Sequence, residues 1–207
     1  MPAYYSINIE FDRRSIDYTT VDELNFYLKQ AGLRFRKGYW SGEGLSEKEI
    51  TDRNQELLEK NYVPEPETDF SEGYVQTMYD LEGFSGVRGF FINAFPGKES
   101  FVYELVIEED EVLEEDGITM KNETAGRILD LITKIWRMPS VQTIQTTKEL
   151  EGKVVPAADF GKWKLPAANP YALVSELQLK KIETEGFDVR KFHVGGVILT
   201  SKRYMFV

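Results

Sequence analysis

The heptapeptide Tyr5-Ser6-Ile7-Asn8-Ile9-Glu10-Phe11 alternates large apolar and polar residues without a break. A period of two puts Tyr5, Ile7, Ile9 and Phe11 on one face of an extended chain and Ser6, Asn8 and Glu10 on the other, the pattern of a half-buried β-strand. The period then changes. Residues 20–23 carry the Thr-x-x-Glu spacing of a capping box, Val21, Leu24, Leu28 and Ala31 recur at helical intervals, and Gly32 supplies a left-handed stop. A helix over about residues 21–31 is expected. Leu33, Phe35 and Tyr39 alternate against Arg34, Arg36 and Gly38, so the chain returns as a strand and the opening reads β-α-β.

Working outward, Ser46 and Glu49 form a second capping-box pattern ahead of a mostly polar helix over residues 47–61, which Pro64 and Pro66 terminate. Residues 63–73 read as an acidic loop, and residues 74–81 fit either a short strand or a helical turn. Two β-rich stretches, 87–95 and 100–107, flank the turn pair Pro96-Gly97 and predict a hairpin. Asn122 is placed to cap a helix whose stripe is Ala125, Ile128, Leu129, Ile132, Ile135 and Trp136, closed by Pro139. Residues 141–146 alternate again, and residues 149–170, with scattered Gly and Pro, read as a linker or long surface loop. Residues 172–182 alternate, Glu185-Gly186 turns, and the rest is β-rich. The expectation is an α+β fold: a mixed or antiparallel sheet, about three helices packed on it and a C-terminal β meander. One domain over residues 1–207 fits the length, and two intimate halves, 1–85 and 86–207, are also open.

Charge is distributed unevenly. Residues 41–85 hold twelve acidic and three basic side chains, residues 99–116 hold nine acidic and no basic ones, and residues 152–207 reverse the sign with nine basic to five acidic. The net charge of −10 therefore conceals a polarised molecule. Such a field disfavours phosphate backbones near the acidic windows and favours a cationic partner. The basic residues toward the C-terminus fall on alternating strand positions, without an RNP-like, helix-turn-helix or zinc-finger pattern, so no nucleic-acid partner is expected.

With no cysteine, disulfides, thiol nucleophiles and thiolate metal sites are excluded. His193 is the only histidine, which excludes a histidine metal cluster, and its β-like surroundings point to a structural or solvent-exposed role. Gly195-Gly196 lacks phosphate-loop spacing and reads as a bulge or close-approach site; Ser41-Gly42-Glu43-Gly44 reads as a turn. No cofactor and no metal site is expected. The N-terminal segment has no basic-then-apolar leader and no stretch reaches the length of a spanning helix, so a soluble, cytoplasmic protein without a membrane partner is expected.

What the residues do offer is a surface. Glu65, Glu67, Asp69, Phe70, Glu72 and Tyr74 in the first acidic window mix carboxylates with aromatic anchors, and Glu108, Glu109, Asp110, Glu111, Glu114, Glu115 and Asp116 in the second are nearly pure carboxylate. Complementary potential speeds association with a basic protein, and apolar anchors supply affinity. The expected function is binding that neutralises or regulates a basic protein partner. Bacterial immunity proteins are similar in kind, being small, often acidic, motif-poor α+β proteins, and that resemblance of size and composition implies a toxin domain as the partner. The alternative is a hydrolase or metal-dependent enzyme using a pair of these carboxylates as acid and base.

Overall fold

The computed structural model describes residues 3–63, 73–92, 95, 99–149, 153–192 and 195–206. In chain order the elements are β1 (Tyr4–Asp12), α1 (Thr20–Gln30), β2 (Arg34–Tyr39), α2 (Glu47–Glu59), β3 (Gln76–Asp80), β4 (Val87–Ile92), β5 (Ser100–Glu108) and α3 (Glu109–Val112). There follow β6 (Thr119–Met120), α4 (Asn122–Ile135), β7 (Val141–Lys148), β8 (Tyr171–Ser175), α5 (Glu176–Leu179), β9 (Phe187–Phe192), β10 (Gly196–Ser201) and β11 (Met205–Phe206). Nine strands form one antiparallel sheet in the order β2-β3-β4-β5-β1-β7-β8-β10-β9, while β6 and β11 make a small parallel pair. The fold is α+β, and its C-terminal strands form the expected meander, with β10 inserted between β8 and β9.

Strand β1 lies at the centre of this sheet, between β5 and β7. Its apolar face meets the expectation: Tyr5, Ile7, Ile9 and Phe11 are buried with the stripes of α1 and α4 in the main core. Its polar face does not, because Ser6, Asn8 and Glu10 are buried too. The β-α-β opening is present, but β5, β4 and β3 lie between β1 and β2, so α1 crosses over half the sheet. The long helices α1, α2 and α4 contribute to the core on one face. Trp136 is buried in that core, and Gly196 accommodates it: a Cβ there would stand 2.6 Å from the indole nitrogen and 2.2 Å from the Phe192 ring. The close approach read from Gly195-Gly196 is thus real.

Helix ends show where local patterns were overridden. The Ser46–Glu49 capping box forms as expected. The Thr20–Glu23 box does not: Thr20 is already helical and its hydroxyl donates back to the Asp17 carbonyl at 3.1 Å, while the Val21 amide donates to Gln55 Oε1 of α2 at 2.9 Å. Asn122 is the first residue of α4 rather than its cap; Lys121 holds the cap position without a side-chain bond. The alternation of residues 172–182 stops at Ser175, where Ser175 and Gln178 make a capping box and start α5.

Residues 153–170, expected as a linker or long surface loop, pack against the sheet. Ala157, Phe160 and Ala168 pack with Ala172, Val174, Val197 and Leu199 as a second, smaller core on the face away from the long helices. Gln145 pins this segment through both ends of its amide: Nε2 donates to the Val155 carbonyl at 2.7 Å, and Oε1 accepts from Val155 and Ala167 amides at 3.1 and 2.9 Å. Among the described residues the cover stops near β1, and a cleft lies on the sheet face over β3, β4, β5 and β1, reaching the end of β7.

Candidate functional site: an acidic ridge beside an open sheet face

The ridge is built where β5 ends. The Glu109 amide donates to the Ala3 carbonyl at 2.9 Å, α3 makes one turn, and buried Val112 and Leu113 anchor it. The Glu114 amide then donates to the Thr119 carbonyl at 2.9 Å, closing a tight connection into α4. Two of the seven acids serve this architecture. Asp116 accepts from the Ile118 and Thr119 amides at 2.9 and 2.8 Å and from the Thr119 hydroxyl at 2.6 Å, bonds that hold its carboxyl below the usual range, the hydroxyl contributing most. Glu111 accepts from the Ser85 amide at 3.0 and 3.2 Å.

The other five, Glu108, Glu109, Asp110, Glu114 and Glu115, make no ion pair among the described residues. Four of them line a groove of about 470 Å³ together with Ala3, Leu113 and Lys121. Lys121 gives its ammonium to the Asp110 backbone carbonyl, not to a carboxylate. Acids elsewhere are commonly matched: Asp12 with Arg14, Asp52 with Lys48, Glu56 with Lys60, Asp130 with Lys134, Glu176 with Lys191. Among the described residues the ridge is therefore a patch of net negative charge, with Lys121 as the cation inside it.

Of the first-window residues, Glu65, Glu67, Asp69, Phe70 and Glu72 lie outside the described residues, as do the Pro96-Gly97 turn and His193. Tyr74 is half-buried on the helix side, its ring 5.4 Å from Phe91 and 5.9 Å from Tyr62, and burial pushes its phenol up to about 12. It precedes the Gln76 end of β3, whereas Glu108 is level with the Asp80 end. The six residue steps from Tyr74 to Asp80 separate it from the ridge by about 20 Å along the strand direction. Tyr79, another aromatic of that window, is core.

Trp40, next to Tyr39 at the Gln76 end of β3, is an exposed aromatic on the cleft face of the sheet, at the end away from the ridge. It is 59% exposed, has a left-handed backbone (φ 51°), and sits in a tight turn where Gly38 approaches the Gly42 carbonyl so closely that a Cβ would stand 2.0 Å from it. Its ring stacks on Tyr39 at 5.0 Å. The Arg88 guanidinium lies 5.4 Å from the Tyr39 ring and 4.7 Å from the Tyr4 ring, which joins β2, β4 and β1 in one aromatic and cationic array. Trp40, Tyr4 and Arg88 wall a cleft of about 570 Å³ whose floor includes Phe90, Val106, Gln76 and Glu104. Tyr4 pairs with Glu108, so cleft and ridge meet at the end of β1.

Two carboxylates on this sheet face are abnormal. Burial pushes Glu10 up to about 7 against the pull of the Ala157 amide, and burial also raises Glu104 against the pull of Ser6 and Arg88. The register pairs Glu10 with Val102 and Asn8 with Glu104, which makes the acids diagonal neighbours. Glu104 lines the cleft, but Glu10 is 1% exposed and sealed beneath Ala157. An acid–base pair needs both groups open to one substrate, and this pair does not offer that. Among the described residues no group of three or more carboxylate or histidine side chains is disposed to hold a metal ion, and no helix is long and apolar enough to cross a membrane.

The acidic stretch over residues 108–116 is legible in the sequence, and the cleft is not. The cleft's one signal is Glu104, a charge between Val102 and Val106 in a strand that otherwise reads as buried. Comparison with protein-family models, curated proteins and solved structures finds no match to this chain.

Proposed function

We propose that this protein binds a basic protein partner and holds it through the ridge over residues 108–116, neutralising or regulating it as an immunity protein does a toxin domain. The supporting observation is the set of five carboxylates that make no ion pair among the described residues, carried on a short, backbone-bonded connection between β5 and α4 rather than on a loose tail. Charges presented from an ordered frame lose little conformational freedom on binding, and their field steers a cationic surface to one place. The aromatic-walled cleft alongside adds buried apolar area beside the acidic rim, a combination suited to protein recognition.

The test is affinity capture from the native cell at low salt with the wild-type protein and a Glu108→Lys, Asp110→Lys, Glu114→Lys, Glu115→Lys variant. A basic protein retained by the wild type, released by salt and lost with the variant supports the proposal. Equal retention by both removes the ridge from the interface.

A further inference from the structure

We propose that the cleft on the open sheet face is a receptor for one arginine or lysine side chain of the partner, seated on Phe90 between the Glu104 carboxylate and the Gln76 side-chain carbonyl. This rests on the binding proposal and adds a specific seat for one cation to the diffuse attraction of the ridge.

The β-ladder makes the seat. Phe90 pairs with Glu104, Glu104 pairs with Asn8, and extending the β3–β4 register by one residue sets Gln76 beside Phe90. Gln76, Phe90, Glu104 and Asn8 thus form one row across four strands, all on the cleft floor. Adjacent strands are about 4.8 Å apart, so the Gln76 and Glu104 backbones are about 10 Å apart with an aromatic ring between them. The Gln76 carbonyl lacks a donor, and the Glu104 carboxylate, although it accepts from the Ser6 hydroxyl, has no cation bonded to it among the described residues. Gln76 Oε1 is buried and accepts no hydrogen bond among the described residues. Glu104 is desolvated and makes no ion pair among the described residues; the Arg88 guanidinium acts on it only through its charge, being held over the Tyr4 and Tyr39 rings. A buried acceptor without a donor is costly, and a ligand bringing several N–H groups relieves it. The ligand with that chemistry is a cationic side chain: its charge meets Glu104, its donors reach Gln76, and its stem and plane lie on Phe90. The cleft's other cations do not fill the seat. Lys148 donates to the Gly117 carbonyl at 2.9 Å and Lys153 is exposed on the rim.

The experiment is a ¹H–¹⁵N titration of the whole chain with Nα-acetyl-arginine amide and its neutral isostere Nα-acetyl-citrulline amide. The arginine compound is expected to shift the Gln76 side-chain amide and the Phe90 and Glu104 backbone signals saturably, with citrulline at least about ten-fold weaker, as loss of a charge-assisted pair implies. Glu104→Gln should abolish that preference, and Gln76→Glu should strengthen arginine binding several-fold, so the seat is tested by a gain as well as a loss. Equal binding of citrulline, no cleft shifts, or unchanged affinity in Gln76→Glu overturns the seat. Shifts confined to residues 108–116 overturn it while leaving the ridge proposal standing.

Discussion

The Ala157 amide donates to both carboxylate oxygens of Glu10, at 2.9 and 3.2 Å, tying the segment that covers half the sheet to its central strand. The bond explains why a charged residue occupies the middle of β1, and it sets a pH dependence. Glu10 titrates at about 7 in the folded chain against 4.5 ordinarily, so between those values the folded state binds more protons than the unfolded one. This group's contribution to stability therefore falls as pH rises from about 4.5 to 7 and is level above. At about 1.4 kcal/mol per unit the full effect is roughly 3 kcal/mol. Glu10→Gln keeps an acceptor for Ala157 and should flatten that slope; urea unfolding of both proteins at pH 5 and pH 8 is the measurement, and equal slopes would refute it.

Gln145 is the second tie, making three hydrogen bonds to the covering segment. Gln145→Ala should destabilise the fold by about 1–3 kcal/mol, since it leaves partly buried backbone groups at Val155 and Ala167 without partners. Amide exchange should rise in residues 153–168 and stay slow in β1, β5 and α4. Uniform acceleration would show that the cover is not a separable layer.

Trp136 closes α4 against β9 and β10, so Trp136→Ala should cost about 3–5 kcal/mol in thermal or chemical unfolding. A near-neutral result would mean that the buried indole contributes little to the core.

The ridge acids should divide into two groups on charge reversal. Glu108→Lys, Asp110→Lys and Glu115→Lys should leave the melting temperature nearly unchanged while slowing association with a basic partner and flattening its salt dependence. Asp116→Lys and Glu111→Lys should lower stability, because those side chains cap the Ile118, Thr119 and Ser85 amides. A melt that fails to separate the groups would show that the caps are dispensable.

Periodicity carried much of the fold's outline: the strands at Tyr5–Phe11 and in the hairpin, the stripe from Ala125 to Trp136 and the Ser46–Glu49 cap are short-range features that neighbouring side chains dictate. The ridge was legible for the same reason, since consecutive carboxylates make a local field wherever the chain carries them. Long-range pairing decided the rest. It buried Glu10 on the polar face of β1 beneath Ala157, replaced the Thr20 cap with Gln55 of another helix, and turned residues 153–170 into a covering layer. It also gathered Gln76, Phe90, Glu104 and Asn8 from four strands into one row. No spacing along the chain encodes that row, because the register of a ladder depends on which residues can share a core, and that is settled only when the sheet closes over it.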